Sequence, residues 1–392
     1  MKTFKRYLKL ELPQGQSAFL WGARKTGKSY FLKHRFPQCQ YYDLLKTEEY
    51  WRLLREPQLL RSEILALEPE KLICPIIIDE VQKVPQLLNE VHWLIENSQA
   101  YFILCGSSAR KLKKDGVNLL GGRAWRYEFY PLVYPEIEEF DLLRALNHGL
   151  IPSHYAASHW EKTIKSYIHD YLTQEIKAES LTRNLVAFSK FLELAGYSNG
   201  EIINFSNIAR DCGVDSKTVK EYYQILEDTL LGYFLQPYYR RKKRDHITVK
   251  TPKFYLFDVG VVNGLTKRKI AELKGAQAGV MFEHYIFMEL MAYRGLNDLD
   301  FSIQYWRTQT GHEVDFILGD ADVAIEVKIN DNVHQSDLHG MLAFHEYAAP
   351  KKSIVVCNVP KARKLSVNKH LSIDILPWEV FLNKLWKGEV IS

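Results

Sequence analysis

Two groups of residues in this sequence have types and spacings suited to phosphate chemistry. The first is GARKTGKS, Gly22 to Ser29. In a G-x-x-x-x-G-K-[ST] loop, backbone N–H groups wrap phosphate oxygens, the lysine reaches the outer phosphates and the hydroxyl helps to hold Mg²⁺. Lys28 and Ser29 fall at those two positions, and Gly22, Ala23, Arg24, Lys25, Thr26 and Gly27 supply the wrapping backbone. Downstream, IIIDE (76 to 80) is an apolar run that ends in two carboxylates. Asp79 is expected to hold Mg²⁺ through water, and Glu80 to orient or polarise the attacking water. A buried strand closing on two acids has little packing reason to exist, so the pair of motifs predicts an ATP site with ATP and Mg²⁺ as cofactors. The run YFILC (101 to 105) then leads into Gly106, Ser107 and Ser108. Ser107 is placed to sense a γ-phosphate; the other reading is an ordinary Ser-rich turn.

The second group lies near the C-terminus. EVDFIL (313 to 318) and VAIEVKI (323 to 329) alternate as half-buried strands around GDAD, a four-residue hairpin loop. If Leu318 pairs with Val323, Asp315 falls opposite Glu326, and Lys328 lies two residues along the same face. Two close carboxylates repel unless a cation lies between them, and a lysine beside a metal can stabilise or activate a hydrolytic water. This is the PD-(D/E)xK nuclease pattern, and hard carboxylate oxygens suit Mg²⁺ or Mn²⁺. Upstream, Glu283 shares a helical side with Ile286, Phe287 and Leu290, so its carboxylate is expected to point inward; it resembles the first-helix acid of that nuclease fold, which implies a further metal ligand. The bland alternative is a solvated hairpin with ordinary charges.

The elements that must carry these residues are readable in outline. The first ~140 residues alternate apolar runs, SAFLW (17 to 21) among them, with helical patterns, as an α/β domain with a largely parallel sheet does. Residues 158 to 231 read as helices, and 204 to 228 have the form of a helix-turn-helix. There Ile208 and Cys212 face inward, Gly213 takes the left-handed turn, Ser216 caps the second helix, and Val219, Tyr222 and Leu226 form its buried stripe. A strand and wing follow, ending in Arg240, Arg241, Lys242, Lys243 and Arg244. With Lys217 and Lys220 on the second helix, these are the expected DNA-phosphate contacts. Packing against protein is the other reading of helix and wing.

Length and composition set the frame. A chain of 392 residues suggests two to three domains, and 46% hydrophobic against 25% charged residues is ordinary for a globular protein. The net charge of +5 hides a basic excess over residues 151 to 270 and an acidic excess over 271 to 392. Such a division suits a polyanion in one place and a divalent metal in another. No apolar stretch is long enough for a membrane span and the N-terminus lacks a signal-peptide pattern, so a cytoplasmic protein without a membrane partner is expected. Five scattered cysteines with no CxxC pair are expected to be reduced core thiols.

Six stretches, GARKTGKS, IIIDEVQKVP, LCGSSARKL, LLGGRAWRYEFYPLVYPE, TPKFYLFDVG and YWRTQTGHEVDFILGDADVAIEVKI, together resemble prokaryotic AAA+ ATPases that carry a nuclease-like C-terminal domain. The resemblance implies that Arg123 in GGR acts on a nucleotide, its own or that of a neighbouring subunit in a ring such as a hexamer; a surface or structural arginine is the other reading. It implies an α/β fold: an AAA+ P-loop ATPase core with a parallel sheet (1–140), a helical and winged-helix middle (141–250) and a restriction-endonuclease-like α/β C-terminal domain (251–392). The expected function is ATP-driven processing or remodelling of duplex or branched DNA by a homo-oligomer. The competing class is a nucleotide-switched regulator in which the nuclease-like domain only binds.

Overall fold

The computed structural model describes residues 3–108, 120–172, 184–240, 248–367 and 371–392. The described residues group into two units, Phe4–Leu132 with Ile225–Leu231, and Val133–Gln224 with Gly232–Ser392.

In the first unit the apolar runs SAFLW, IIID and FILCG become strands because they are buried on both faces, with a shorter and a more exposed strand at the two edges. The strands are β1 (Ser17–Trp21), β2 (Tyr41–Asp43), β3 (Ile76–Asp79), β4 (Phe102–Gly106) and β5 (Ala124–Glu128), in the order β2-β3-β4-β1-β5 with every pair parallel. Phe19, Ile76, Ile78 and Leu104 on one face pack with Leu53, Leu60 and Val91 from the covering helices. Because β4 separates β1 from β3, the C-terminal ends of these three strands lie side by side. Helix α1 (Lys28–Arg35) starts at the loop that leaves β1.

The second unit contains an eight-stranded sheet among the described residues, in the order β12-β13-β11-β10-β9-β8-β6-β7. Its strands are β6 (Gly232–Pro237), β7 (Lys253–Leu256), β8 (Ile303–Arg307), β9 (Glu313–Leu318), β10 (Val323–Lys328), β11 (Lys352–Cys357), β12 (Arg363–Ser366) and β13 (Ser372–Pro377). The β9–β10 hairpin has the expected register, Leu318 opposite Val323.

β6, the strand that follows the helix-turn-helix, pairs antiparallel with β7 from Gly232↔Leu256 to Leu235↔Lys253 and parallel with β8. These pairings cross residue 250, so the strand expected to lead into a wing is also part of the C-terminal sheet.

The helix-turn-helix segment forms α2 (Phe205–Cys212) and α3 (Ser216–Asp228), and Gly213 between them adopts φ +70°. Ile208, Cys212, Val219, Tyr222 and Leu226 are buried. The cap of α3 is one residue earlier than expected: Asp215 Oδ1 accepts from Lys217 N at 2.8 Å and Thr218 N at 2.9 Å. A carboxylate at this position satisfies two orphan N–H groups and complements the helix dipole, which outcompetes the Ser216 hydroxyl. Cys105, Cys212 and Cys357 are buried, whereas Cys39 and Cys74 are only half-buried, so the expectation of five core thiols holds for three.

Helix α4 (Gly275–Leu296) packs on β10 and brings in a second buried acid besides those of the hairpin. Glu289 accepts from Tyr134 N at 2.9 Å and from Trp386 Nε1 at 2.7 Å, the latter on α5 (Trp378–Trp386). Burial pushes its carboxyl up to about 8, against the pull of the donors from Trp386 and Tyr134. An unfolded glutamate titrates near 4.3, so between roughly pH 4 and pH 8 the folded chain holds a proton that the unfolded chain has lost. Stability from this group is full below that window and is lost as pH rises through it, by at most about 1.4 kcal/mol per unit. Denaturant titrations from pH 5 to pH 8 are expected to show a shallower decline in Glu289→Gln than in wild type, even though the amide sacrifices one acceptor. Parallel declines in the two proteins would exclude Glu289 as the source.

Candidate functional site

The phosphate-binding loop begins where β1 ends. Gly22 is required by packing, since a Cβ there would meet Phe129 O at 2.2 Å. Gly27 takes φ +101° immediately before α1, a conformation that a side chain resists. The loop is internally braced: Thr26 Oγ1 donates to Ala23 O at 2.7 Å, and Lys28 Nζ donates to Gly22 O at 2.6 Å and Ala23 O at 3.0 Å. Lys28 is buried, so its ammonium is held on loop carbonyls at the position from which it can turn to phosphate oxygens.

The two acids of IIIDE sit at the end of β3, beyond β4. Tyr41 Oη donates to Asp79 Oδ2 at 2.6 Å, while Asp79 Oδ1 is buried with no hydrogen-bond partner. Burial and the charge of Asp79 raise the Tyr41 hydroxyl above its ordinary range, so it acts as a donor. Glu80 has φ +61°, a left-handed conformation costing a non-glycine residue about 1–2 kcal/mol. Its Oε2 receives Gln82 Nε2 at 2.5 Å and lies 3.7 Å from Arg24 Nη2. Gln82 Nε2 also reaches Ser107 Oγ at 3.0 Å. Gln82 therefore ties Glu80 to Ser107, just past the end of β4, the strand between the loop and the acids.

These residues fit ATP with Mg²⁺. A buried carboxylate oxygen without a donor is a cation ligand in waiting, and a glycine loop opening a helix is an anion cradle. Asp79 and Ser29 would hold the metal, and Lys28 and the loop backbone the phosphates.

Arg123 meets a partner within its own chain. Its guanidinium pairs with Glu96 and Nη1 donates to Gly121 O at 3.3 Å, all within the same unit. The charge of Arg123 holds the Glu96 carboxyl below its ordinary value.

In the second unit the hairpin brings Asp315, Glu326 and Lys328 together. Lys328 Nζ lies 2.7 Å from Glu326 Oε1, Asp315 Oδ2 accepts from Val327 N at 2.7 Å, and Glu326 Oε2 is buried without a partner. Burial and the facing Glu326 drive the Asp315 carboxyl well above its ordinary range. Burial likewise raises Glu326, against the opposing pull of Lys328. Glu326 and Asp315 in turn raise the Lys328 ammonium above its ordinary value, outweighing burial.

Glu283, the third expected ligand, acts on the charges of Asp315 and Glu326 and is itself held by other groups. Its Oε1 is taken by Tyr255 Oη and by Lys253 Nζ at 3.2 Å. Among the described residues no three His, Cys, Asp or Glu side chains are gathered into a metal-binding group. The orphaned Glu326 oxygen and the mutual repulsion of Asp315 and Glu326 fit a single divalent cation held by that pair.

The expected DNA contacts are less gathered. Lys217 and Lys220 are exposed on α3, with Lys220 Nζ 5.3 Å from the Phe205 ring centroid. Arg240 Nη2 donates to Ala348 O at 3.0 Å, and Arg241, Lys242, Lys243 and Arg244 lie outside the described residues.

Sequence reasoning missed Tyr41, Gln82, Arg6, Lys253 and Tyr255. Arg6 donates to Thr26 O at 2.6 Å and Tyr130 O at 2.7 Å, with its guanidinium 4.1 Å from the Phe129 ring, and so braces the phosphate loop from the N-terminal segment. Gln82 had a local signal, two residues past Glu80; the others act through contacts distant in sequence.

Comparisons with known proteins match three segments of the chain. Residues 14–138 match an AAA domain, residues 139–272 a domain of unknown function (DUF8612) and residues 278–379 another domain of unknown function (DUF4143). Uncharacterized proteins of Mycobacterium tuberculosis and Mycobacterium bovis are each 24% identical over 322 residues, which is 79% of this chain and 68% of theirs. A solved Walker-type ATPase of Pyrococcus abyssi aligns with 63% of this chain and 90% of its own at 14% identity, with a TM-score of 0.42. No helix among the described residues is long and apolar enough to cross a membrane. The AAA match and the geometry of the phosphate loop support an ATP-binding P-loop ATPase in the N-terminal part of the chain.

Proposed function

We propose that this chain is an ATP-hydrolysing DNA-processing protein, in which the AAA domain uses ATP and Mg²⁺ and the second unit binds DNA and cuts it with a divalent metal. The observation that carries the DNA half is the cluster of Asp315, Glu326 and Lys328: two buried carboxylates and a lysine on one face of a hairpin, with one carboxylate oxygen unpartnered. Such a group is costly to bury unless a cation and a substrate anion complete it.

In the ATP site, Lys28 and the loop N–H groups bind and neutralise phosphate oxygens, Asp79 and Ser29 hold the metal, and Glu80 orients water through an acceptor oxygen fixed by Gln82. Bound Mg²⁺–ATP supplies the transferable phosphoryl group and its charge neutralisation. In the second unit, Asp315 and Glu326 hold Mg²⁺ or Mn²⁺, which supplies Lewis-acid stabilisation at a phosphodiester. Lys328 positions water beside them. The exposed Lys217 and Lys220 of α3, with the basic segment 240–244, engage DNA phosphates. Assembly into a ring, with Arg123 released from Glu96 toward a neighbouring nucleotide, completes the proposal.

The test is a panel of duplex, forked, four-way and single-stranded DNA incubated with the purified protein, with and without ATP and Mg²⁺ or Mn²⁺. Cleavage of at least one structure and several-fold DNA stimulation of ATP turnover are expected. Stimulated turnover with no cleavage on any substrate would leave the nucleotide-switched regulator as the reading.

A further inference from the structure

Lys253, on β7, has a side chain only 4% exposed, and its Nζ lies 3.2 Å from Glu283 Oε1 and 2.6 Å from Glu313 Oε1. It borders a cleft of about 640 Å³ that Glu283, Arg307 and Glu313 also line. Beyond it, Arg307 Nη1 pairs with Glu313 Oε2 at 2.9 Å, and Tyr255 Oη donates to Glu283. A buried ammonium needs anionic partners, and here it has two: Glu313, whose other oxygen pairs with Arg307, and Glu283, whose same Oε1 also accepts from Tyr255.

Glu283 and Glu313 are paired with Lys253 and Arg307. Asp315 and Glu326 are offset by Lys328, and the Lys253 charge reaches Asp315 as well. One oxygen of Glu326 is nonetheless buried without a partner, so the hairpin pair is where a further cation is wanted. A second divalent ion recruited by Glu283 and Glu313 would have to enter beside a fixed ammonium, at a separation where like charges repel strongly.

We propose that this centre carries its own second cation: the Lys253 ammonium, seated between Glu283 and Glu313, occupies the position of a second metal and limits the centre to one divalent ion, held by Asp315 and Glu326. Lys253 is then a positioning residue, and Glu283 is its counter-charge rather than a metal ligand. This rests on the metal-dependent reading of the hairpin given above.

Mn²⁺ alone is the probe, titrated into the full chain without nucleotide by calorimetry and by electron paramagnetic resonance of the free ion. Wild type is expected to take one Mn²⁺ that Asp315→Ala abolishes. Lys253→Met is expected to take two, or to bind the first about tenfold more tightly. Glu283→Gln is expected to keep the wild-type stoichiometry with affinity within about threefold, whereas a true ligand would lose about tenfold or more. A folded Lys253→Met chain with one Mn²⁺ at wild-type affinity, or a Glu283→Gln chain that loses its Mn²⁺, overturns the proposal. If Lys253→Met does not fold, Glu283→Gln decides alone. Failure of the metal reading looks different: wild type takes no Mn²⁺ that depends on Asp315. In that case uptake by Lys253→Met still identifies Lys253 as the resident cation, and no uptake by either removes both ideas.

Discussion

Glu80→Gln is expected to bind ATP within a few-fold of wild type and to hydrolyse it about 10²- to 10³-fold more slowly, the range seen when one preorganised polar group is removed from a reacting centre. The side chain is buried, its Oε2 is fixed by Gln82 Nε2, and its backbone is held at φ +61°, so the carboxylate is aimed before nucleotide arrives. The amide keeps the size of the side chain and loses the charge that polarises water. It also turns one donor–acceptor contact with Gln82 into an uncertain match, so Gln82→Ala should reproduce part of the loss without touching Glu80. Lys28→Ala fails earlier: it removes the ammonium that the loop holds beside Gly22 and Ala23, and nucleotide affinity itself should collapse. Affinity for a fluorescent nucleotide and phosphate release, measured side by side, separate the two. Wild-type turnover by Glu80→Gln would remove Glu80 from the role of water-orienting residue.

How much of this was legible follows from where the determining contacts lie. The loop Gly22 to Ser29 and the pair Asp79–Glu80 were readable because each is a short motif joined to a continuous apolar run, and such runs form parallel strands buried on both faces. The β9–β10 register was readable because a four-residue loop between alternating strands leaves little freedom, and Leu318 does face Val323. The sheet pairing of the strand following the helix-turn-helix was not legible because its partners, around Lys253 and Gln304, lie far along the chain and no local pattern reports them. Lys253 was missed for the same reason. In sequence it is a lysine in TPKFYLFDVG; only the fold inserts it between Glu283 and Glu313. Glu283 bonds to Lys253 and Tyr255, partners that could not be read from helical periodicity. Arg123 shows the reverse case, a role drawn from resemblance that meets a same-chain partner, Glu96.

Asp315→Ala and Glu326→Ala are each expected to reduce metal-dependent DNA cleavage by about three orders of magnitude or more, while ATP turnover stays within about twofold of wild type. Each acid is buried and each repels the other, so losing either leaves too little negative charge to hold a divalent ion at the hairpin. Removing one acid also relieves repulsion, so neither variant should be less stable than wild type in the absence of metal by more than the cavity it creates. Asp315→Ala frees Val327 N of its acceptor and should show that small cost, whereas Glu326→Ala releases Lys328 from its ion pair. Lys328→Ala should separate binding from chemistry: with both acids present, metal affinity stays within about tenfold, but cleavage falls because the ammonium that positions water is gone. The three variants are to be compared on the DNA panel across a Mn²⁺ titration, with thermal unfolding alongside. Full cleavage by Lys328→Ala would place water activation elsewhere, and Asp315→Ala that binds Mn²⁺ and DNA as wild type does would make the hairpin acids structural.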